Sequence, residues 1–184
     1  MTARGPRFFT IGHSNRSIDA FIDLLRENRI EAVADVRRLP GSRACPQFDA
    51  GPLRAALTEA QIGYDYLAAL GGRRGRSKET PAALNAFWTH RSFHNYADYA
   101  LTPGFREGLA ALHALGAKRR VAIMCAEAVW WRCHRRIIAD YLIASGEAVI
   151  HIMSEGRTEQ ARLTPGARTR ADGSVIYPPV AAPA

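Results

Sequence analysis

The feature that most constrains this chain is a regular alternation of short apolar runs with segments of helical periodicity. Arg7 to Ile11 reads as a buried strand closed by Gly12. Ser17 supplies an N-cap, and Phe21, Leu24, Leu25 and Ile30 then recur at helical spacing, which predicts an amphipathic helix over 18–28. Ala32 to Val36 is again short, apolar and β-branched. Strand, helix and strand within about thirty residues make a βαβ unit with a right-handed crossover. Leu53, Leu57 and Ala60 carry a second helix, and Tyr64 to Leu67 reads as a short strand. Residues 81–115 are mostly helical, with breaks near Arg91 and at Pro103-Gly104. Arg120 to Cys125 is the clearest core strand, a helix follows over 132–145, and Ala148 to Ile152 is the last parallel strand. The pattern predicts an α/β fold: a single-domain, open, mostly parallel, Rossmann-like sheet with helices on both faces. Residues 1–153 form that domain. Beyond Met153 the composition shifts to Gly, Pro, Thr and Arg, so 154–184 is expected to be an irregular arm, frayed after Pro178.

Open parallel sheets bind ligands outside the carboxyl ends of their strands. The polar residues of this chain gather there. Gly12-His13-Ser14-Asn15 follows the first strand, and Asp35-Val36-Arg37-Arg38 ends the second. Ala126-Glu127 and then Trp130-Trp131-Arg132-Cys133-His134-Arg135 follow the strand that ends at Cys125. Surface loops are usually polar, but they rarely gather so many titratable types on one edge.

TIGHSN, DVRRLPGSR, LGGRRGR and MCAE followed by CHRR together resemble the domain-of-unknown-function family numbered 488, over roughly residues 9–151. The resemblance implies an α/β fold and a shared site at His13, Ser14, Asp35, Arg37, Arg38, Glu127, Cys133, His134 and Arg135. It supplies no reaction, so the chemistry is argued from residue types.

Asp35, Glu127 and His13 are the candidate catalytic groups. A carboxylate pair activates water and stabilises a developing sugar cation, which is what glycosidic cleavage requires. Against this, Asp35 can simply pair with Arg37 or Arg135, and Glu127 can complement a helix dipole. Cys125, Cys133, His134 and His13 are metal-ligating types. The cysteines stand eight apart with no second close pair, which does not match zinc spacing, so no metal is expected. Cys125 ends a buried strand and reads as a small hydrophobe. Cys133, near a helix start with His134 and Arg135 beside it, is a candidate thiol nucleophile. Adjacent helical residues point about 100° apart, however, so Cys133 and His134 need not meet. The glycine-rich loops match neither nucleotide-binding fingerprint, so no cofactor is expected.

Charge bears on the substrate. Lys+Arg total 25 against 17 Asp+Glu, and only Lys78 and Lys118 are lysines. Arginine clusters at 37–43, 73–76 and 132–136 suit a phosphate backbone, so DNA is the expected partner. The leading expectation is a metal-independent DNA glycosylase-like hydrolase in base repair. Ser14, Asn15, Arg37, Arg38, Arg73, Cys133, His134 and Arg135 would bind substrate in that scheme. Trp131 or Tyr96 would stack an extruded base. The alternatives are a thiol-dependent enzyme using Cys133 on a small anionic substrate, and a non-catalytic nucleic-acid binder. With no export signal, no membrane-length apolar run and three cysteines, a cytoplasmic monomer without a disulfide framework is expected.

Overall fold

The structure is a computed structural model describing residues 5–41 and 43–179. In chain order the main elements are β1 (Phe8–Gly12), α1 (Ile18–Glu27), β2 (Ala32–Asp35), α2 (Ala50–Glu59) and β3 (Gly63–Tyr66). They are followed by α3 (Arg91–Tyr99), α4 (Pro103–Lys118), β4 (Val121–Cys125), α5 (Arg135–Ala144), β5 (Val149–Ser154) and β6 (Arg157–Gln160). A two-stranded hairpin of β7 (Arg168–Thr169) and β8 (Val175–Ile176) completes the described chain. Six strands form one sheet in the order β3-β2-β4-β1-β5-β6, parallel except for the β5–β6 pair.

Side-chain alternation along the strands feeds two cores. Phe9, Ile11, Val33, Ala122 and Met124 pack against Phe21 and Leu25 of α1 and Leu53 and Leu57 of α2. Phe8, Ala34, Val121, Ile123 and Val149 pack on the opposite side against α3, α4 and α5, through Ala97, Phe105, Leu112, Ile138 and Leu142. The helix starts follow local chemistry. The Ser17 hydroxyl accepts from the Ala20 amide at 3.2 Å, and Thr102 caps α4 immediately before Pro103.

Right-handed crossovers decide where a site can form. The chain moves from β1 through α1 to β2, and through α2 to β3, with its helices on one face. It returns to β4 and runs on to β5 with α3, α4 and α5 on the other. β1 and β4 are neighbours, and the loops leaving them diverge to opposite faces. That divergence opens a crevice at their carboxyl ends. The order differs from the Rossmann-like expectation, because β4 is inserted between β1 and β2, which are adjacent in the dinucleotide-binding order.

Two expectations change. The helix predicted over 132–145 begins only at Arg135, because Trp130–Arg132 close a 3-10 turn and Cys133 is extended at φ −124°, ψ 147°. The segment after Met153 is not a loose arm over its described residues. β6 extends the sheet, and Ala161, Val175 and Tyr177 enter the core. The buried Asp140 carboxylate accepts from the Thr164 amide at 2.8 Å and the Tyr177 hydroxyl at 2.8 Å, fastening the segment to α5. The fraying expected after Pro178 falls mostly outside the described residues. Among those residues no helix is long and apolar enough to cross a membrane.

Tyr177→Phe leaves one buried Asp140 oxygen without its donor. The substitution is expected to cost about 1–3 kcal/mol in urea denaturation. An unchanged midpoint would show that the segment is not fastened through this contact.

Candidate active site

Parallel pairing of β1 with β4 continues past the strand ends. The His13 amide donates to the Cys125 carbonyl at 2.9 Å, and the Ser14 amide to that of Ala126 at 3.0 Å. Gly12 is required at this point, since a Cβ there would collide with the Glu127 backbone. Ser14 turns the chain away at φ 51°. The crevice beside this junction is a cavity of about 640 Å³. His13, Arg37, Arg38, Arg73, Cys125, Glu127, Arg132, Cys133 and His134 supply its chemistry, and Tyr96 and Phe93 supply apolar wall.

Cys133 sits one residue ahead of the α5 N-cap. Arg135 is 1% exposed, and its Nε donates to Cys133 Sγ at 3.2 Å. Its Nη2 donates to the Glu127 carbonyl. Among the described residues no carboxylate forms an ion pair with this guanidinium. The nearest group able to offset its charge is therefore the Cys133 sulfur. Burial alone would push the Cys133 thiol up, but the hydrogen bond from Cys125, the Arg135 cation and His134 outweigh it and hold it well below the usual range. Cys125 is pushed the other way by that same hydrogen bond and by burial. Both shifts favour the proton on Cys125 and the negative charge on Cys133. A helix N-terminus favours that assignment.

His134 Nε2 lies 3.0 Å from the Val36 carbonyl, which can only accept, so this nitrogen carries a proton. Nδ1 is then the nitrogen facing Cys133 Sγ, at 3.6 Å. Helical spacing left open whether 133 and 134 meet, and they do because Cys133 is extended and lies outside the helix. Gly72 lets the second glycine-rich loop close over this ring, since a Cβ there would stand 2.8 Å from His134 Nδ1.

Asp35 is fully buried and already committed. Its oxygens accept from the Arg37 amide at 3.1 Å, Arg37 Nε at 2.9 Å, Arg37 Nη2 at 2.7 Å and the Tyr64 hydroxyl at 2.8 Å. It does not line the cavity. The catalytic role expected of Asp35 is corrected to that of holding Arg37. Arg37 in turn places Nη1 at 3.4 Å from His13 Nε2. His13 stacks on Phe48 at 4.2 Å, and its Nδ1 lies 2.8 Å from the Ser14 carbonyl. Burial lowers its pKa to about 4, with the Arg37 charge acting in the same direction, so the ring is neutral at pH 7. A ring so weakly basic, facing a guanidinium, is poorly suited to general-base work.

The other expected site residues divide between cavity and surroundings. Ser14, Arg38 and Arg73 line the cavity, as does Tyr96, although its ring is buried and its hydroxyl is bound to the Leu70 carbonyl at 2.6 Å. Glu127 lines it as well and is the one carboxylate among the lining residues. Three substrate-binding assignments are corrected. Arg135 lies beneath the cavity rather than in it. Asn15 is exposed and does not line it. Trp131 is 45% exposed and packs edge-on to Trp130, away from the cavity.

Sequence reasoning weighed Cys125 as a metal ligand and set it aside, because a strand-end cysteine reads as core. Arg132 and Phe93 were visible only as members of clusters. Cys125, Cys133 and His134 bring their ligand atoms within 4.8 Å of one another, although eight residues separate the cysteines. Such a trio has the donor types of a zinc site. A guanidinium bound to one of its sulfurs opposes a dication there.

Fold and cavity together define an open α/β domain with a cysteine, held by a buried guanidinium, at its switch point. The chain belongs to the family described as domain of unknown function DUF488, whose model matches residues 17–142. That span takes in Arg37, Glu127 and the Cys133-His134-Arg135 run; His13 and Ser14 lie just upstream. No match was found among curated proteins or among solved structures.

His13 and His151 yield a prediction about stability. Burial lowers both, to about 4 and about 3, from 6.5. Between 6.5 and 4 the unfolded chain binds more protons than the folded one. Their contribution is therefore present above 6.5 and lost as pH falls. The urea midpoint is expected to drop between pH 7 and pH 5, where most carboxylates remain ionised. A flat profile across that window would contradict neutral, buried rings.

Proposed function

We propose that this protein is a thiol-dependent enzyme in which Cys133 attacks an electrophilic centre on an anionic substrate. The observation that carries the reading is the buried Arg135 guanidinium, which donates to the Cys133 sulfur and has no carboxylate ion pair among the described residues. Three further features support it. The thiolate lines an open cavity of ligand size. His134 Nδ1 is in position to carry a proton to or from sulfur or a leaving group. Arg38, Arg73 and Arg132 lie exposed on the same walls and outnumber Glu127.

In this scheme the arginine rim holds the anion, and Cys133 Sγ forms a covalent bond as the leaving group departs. Glu127, which lines the same cavity, would orient the group that clears the adduct. The Asp35–Arg37 pair keeps one cavity wall rigid at no net charge.

A glycosylase-like reading is the second one, favoured by Glu127 within a basic cavity. It has lost its second carboxylate to Arg37 and its exposed stacking ring to the far side of the Trp130–Trp131 turn.

The test needs no known substrate. Iodoacetate is anionic and iodoacetamide neutral. The arginine rim is expected to make iodoacetate react with Cys133 at least about tenfold faster relative to iodoacetamide than it does with a free thiol. Cys133→Ser is expected to abolish the labelling, and Arg38→Ser with Arg73→Ser to abolish the preference. A neutral-reagent preference would contradict an anion-binding site. Bases released from modified duplexes by wild type and Cys133→Ser, but not by Glu127→Gln, would favour the glycosylase reading instead.

A further inference from the structure

Cys125 has no part in the scheme above, yet its position is specific. It closes β4 and lines the cavity, and its sulfur, the Cys133 sulfur and a ring nitrogen of His134 lie within 4.8 Å of one another. A disulfide requires sulfurs about 2.05 Å apart, so the two have to close from within 4.8 Å. A second thiol beside a nucleophilic thiolate has a defined use. It displaces whatever the first has captured, provided the captured group is linked through sulfur. A phosphoryl or acyl adduct on Cys133 would leave Cys125 without a role.

The cavity narrows the choice of sulfur electrophile. About 640 Å³ is far more than a sulfane-sulfur anion or a peroxide fills, and three exposed arginines on its walls select negative charge. Resting on the reading of Cys133 as nucleophile, we infer that Cys125 is its resolving partner and that the site reduces an anionic low-molecular-weight disulfide. Cys133 S⁻ attacks one sulfur of RS–SR. The Cys133–SR bond forms, the substrate S–S bond breaks, and RS⁻ leaves. Cys125 then attacks the Cys133 sulfur, giving the Cys125–Cys133 disulfide, and its proton leaves with the second carrier as RSH. The substrate gains two electrons and the cysteine pair loses two. An external dithiol restores the pair for another turn.

Arg135 and His134 act differently in the two steps. Arg135 stabilises Cys133 as the attacking thiolate. His134 Nδ1, 3.6 Å from Cys133 Sγ, is the group nearest the sulfur pair that can take the Cys125 proton and pass it to the departing thiolate. Cys45 is outside the pair: its Sγ lies 3.5 Å from the Ser14 carbonyl.

The experiment uses the full reduced chain with oxidised glutathione, whose halves are anionic, and with cystamine, which is cationic. Wild type exposed to oxidised glutathione is expected to lose two hydrogens in intact mass. Peptide mapping is expected to join Cys125 to Cys133 and leave Cys45 free to alkylate. Cys125→Ser, and Cys125→Ala as a second variant, are expected to stop at one glutathionyl group on Cys133. Oxidised glutathione is expected to react at least about tenfold faster than cystamine.

A stable glutathionyl adduct on the wild type, a bridge through Cys45, or equal rates with cystamine would overturn the inference. So would disulfide formation that occurs only after a chelator is added, which would make the trio a metal site. If iodoacetate labels Cys133 but oxidised glutathione leaves it untouched, this inference alone falls. If neither reagent reacts, the proposed function falls with it.

Discussion

A guanidinium taken out of water without a compensating anion costs several kcal/mol. Arg135 is in that position unless the sulfur beside it is charged. The pairing of Arg135 Nε with Cys133 Sγ is therefore the contact on which the account of the site rests. It reaches outward in several directions. The same guanidinium ties down the Glu127 carbonyl, which backs onto Gly12 at the end of β1. Its charge also acts on Arg16 and His151, lowering both after burial has done so. A stack of Trp130 on His151 at 4.3 Å, with Thr10 at 2.7 Å from the histidine Nδ1, closes the region behind the cavity.

The fold supplies the setting for this contact through connection geometry. Because β1 and β4 are adjacent and their following loops part, the His13 turn and the Cys133 segment face one crevice from two sides. The two buried cations near it are handled in different ways. Arg37 is neutralised by Asp35 and serves as scaffold. Arg135 has no carboxylate ion pair among the described residues and donates instead to the Cys133 sulfur, which lines the cavity. The exposed arginines of the rim are free of these constraints and give the opening its sign.

Much of the fold was legible because strand periodicity and helix caps are local signals. β1, β2 and β4 fall within a residue or two of where their apolar runs put them, and Ser17 begins α1 as its hydroxyl chemistry suggests. Strand order was not legible, since the insertion of β4 between β1 and β2 depends on long-range pairing. The 154–179 segment was missed because its anchors are single residues, Tyr177 and Thr164, meeting Asp140 across long sequence separations. In the site, strand-end placement led to His13, Arg37, Glu127 and Cys133. It left the pairing of Asp35 with Arg37 as one of two readings, and it could not reveal that an extended Cys133 brings its sulfur near both His134 and Cys125. Those outcomes turn on one backbone conformation and on who reaches whom first, which spacing does not encode.

The central claim is that Cys133 rests as a thiolate under the charge of Arg135. The most direct measurement is a pH titration of thiolate ultraviolet absorbance, taken as the difference between wild type and Cys133→Ser. A thiolate held under Arg135 gives a Cys133 signal that persists well below about pH 8.5, the ordinary thiol value. A signal that vanishes near that value, as in a free cysteine, would contradict it.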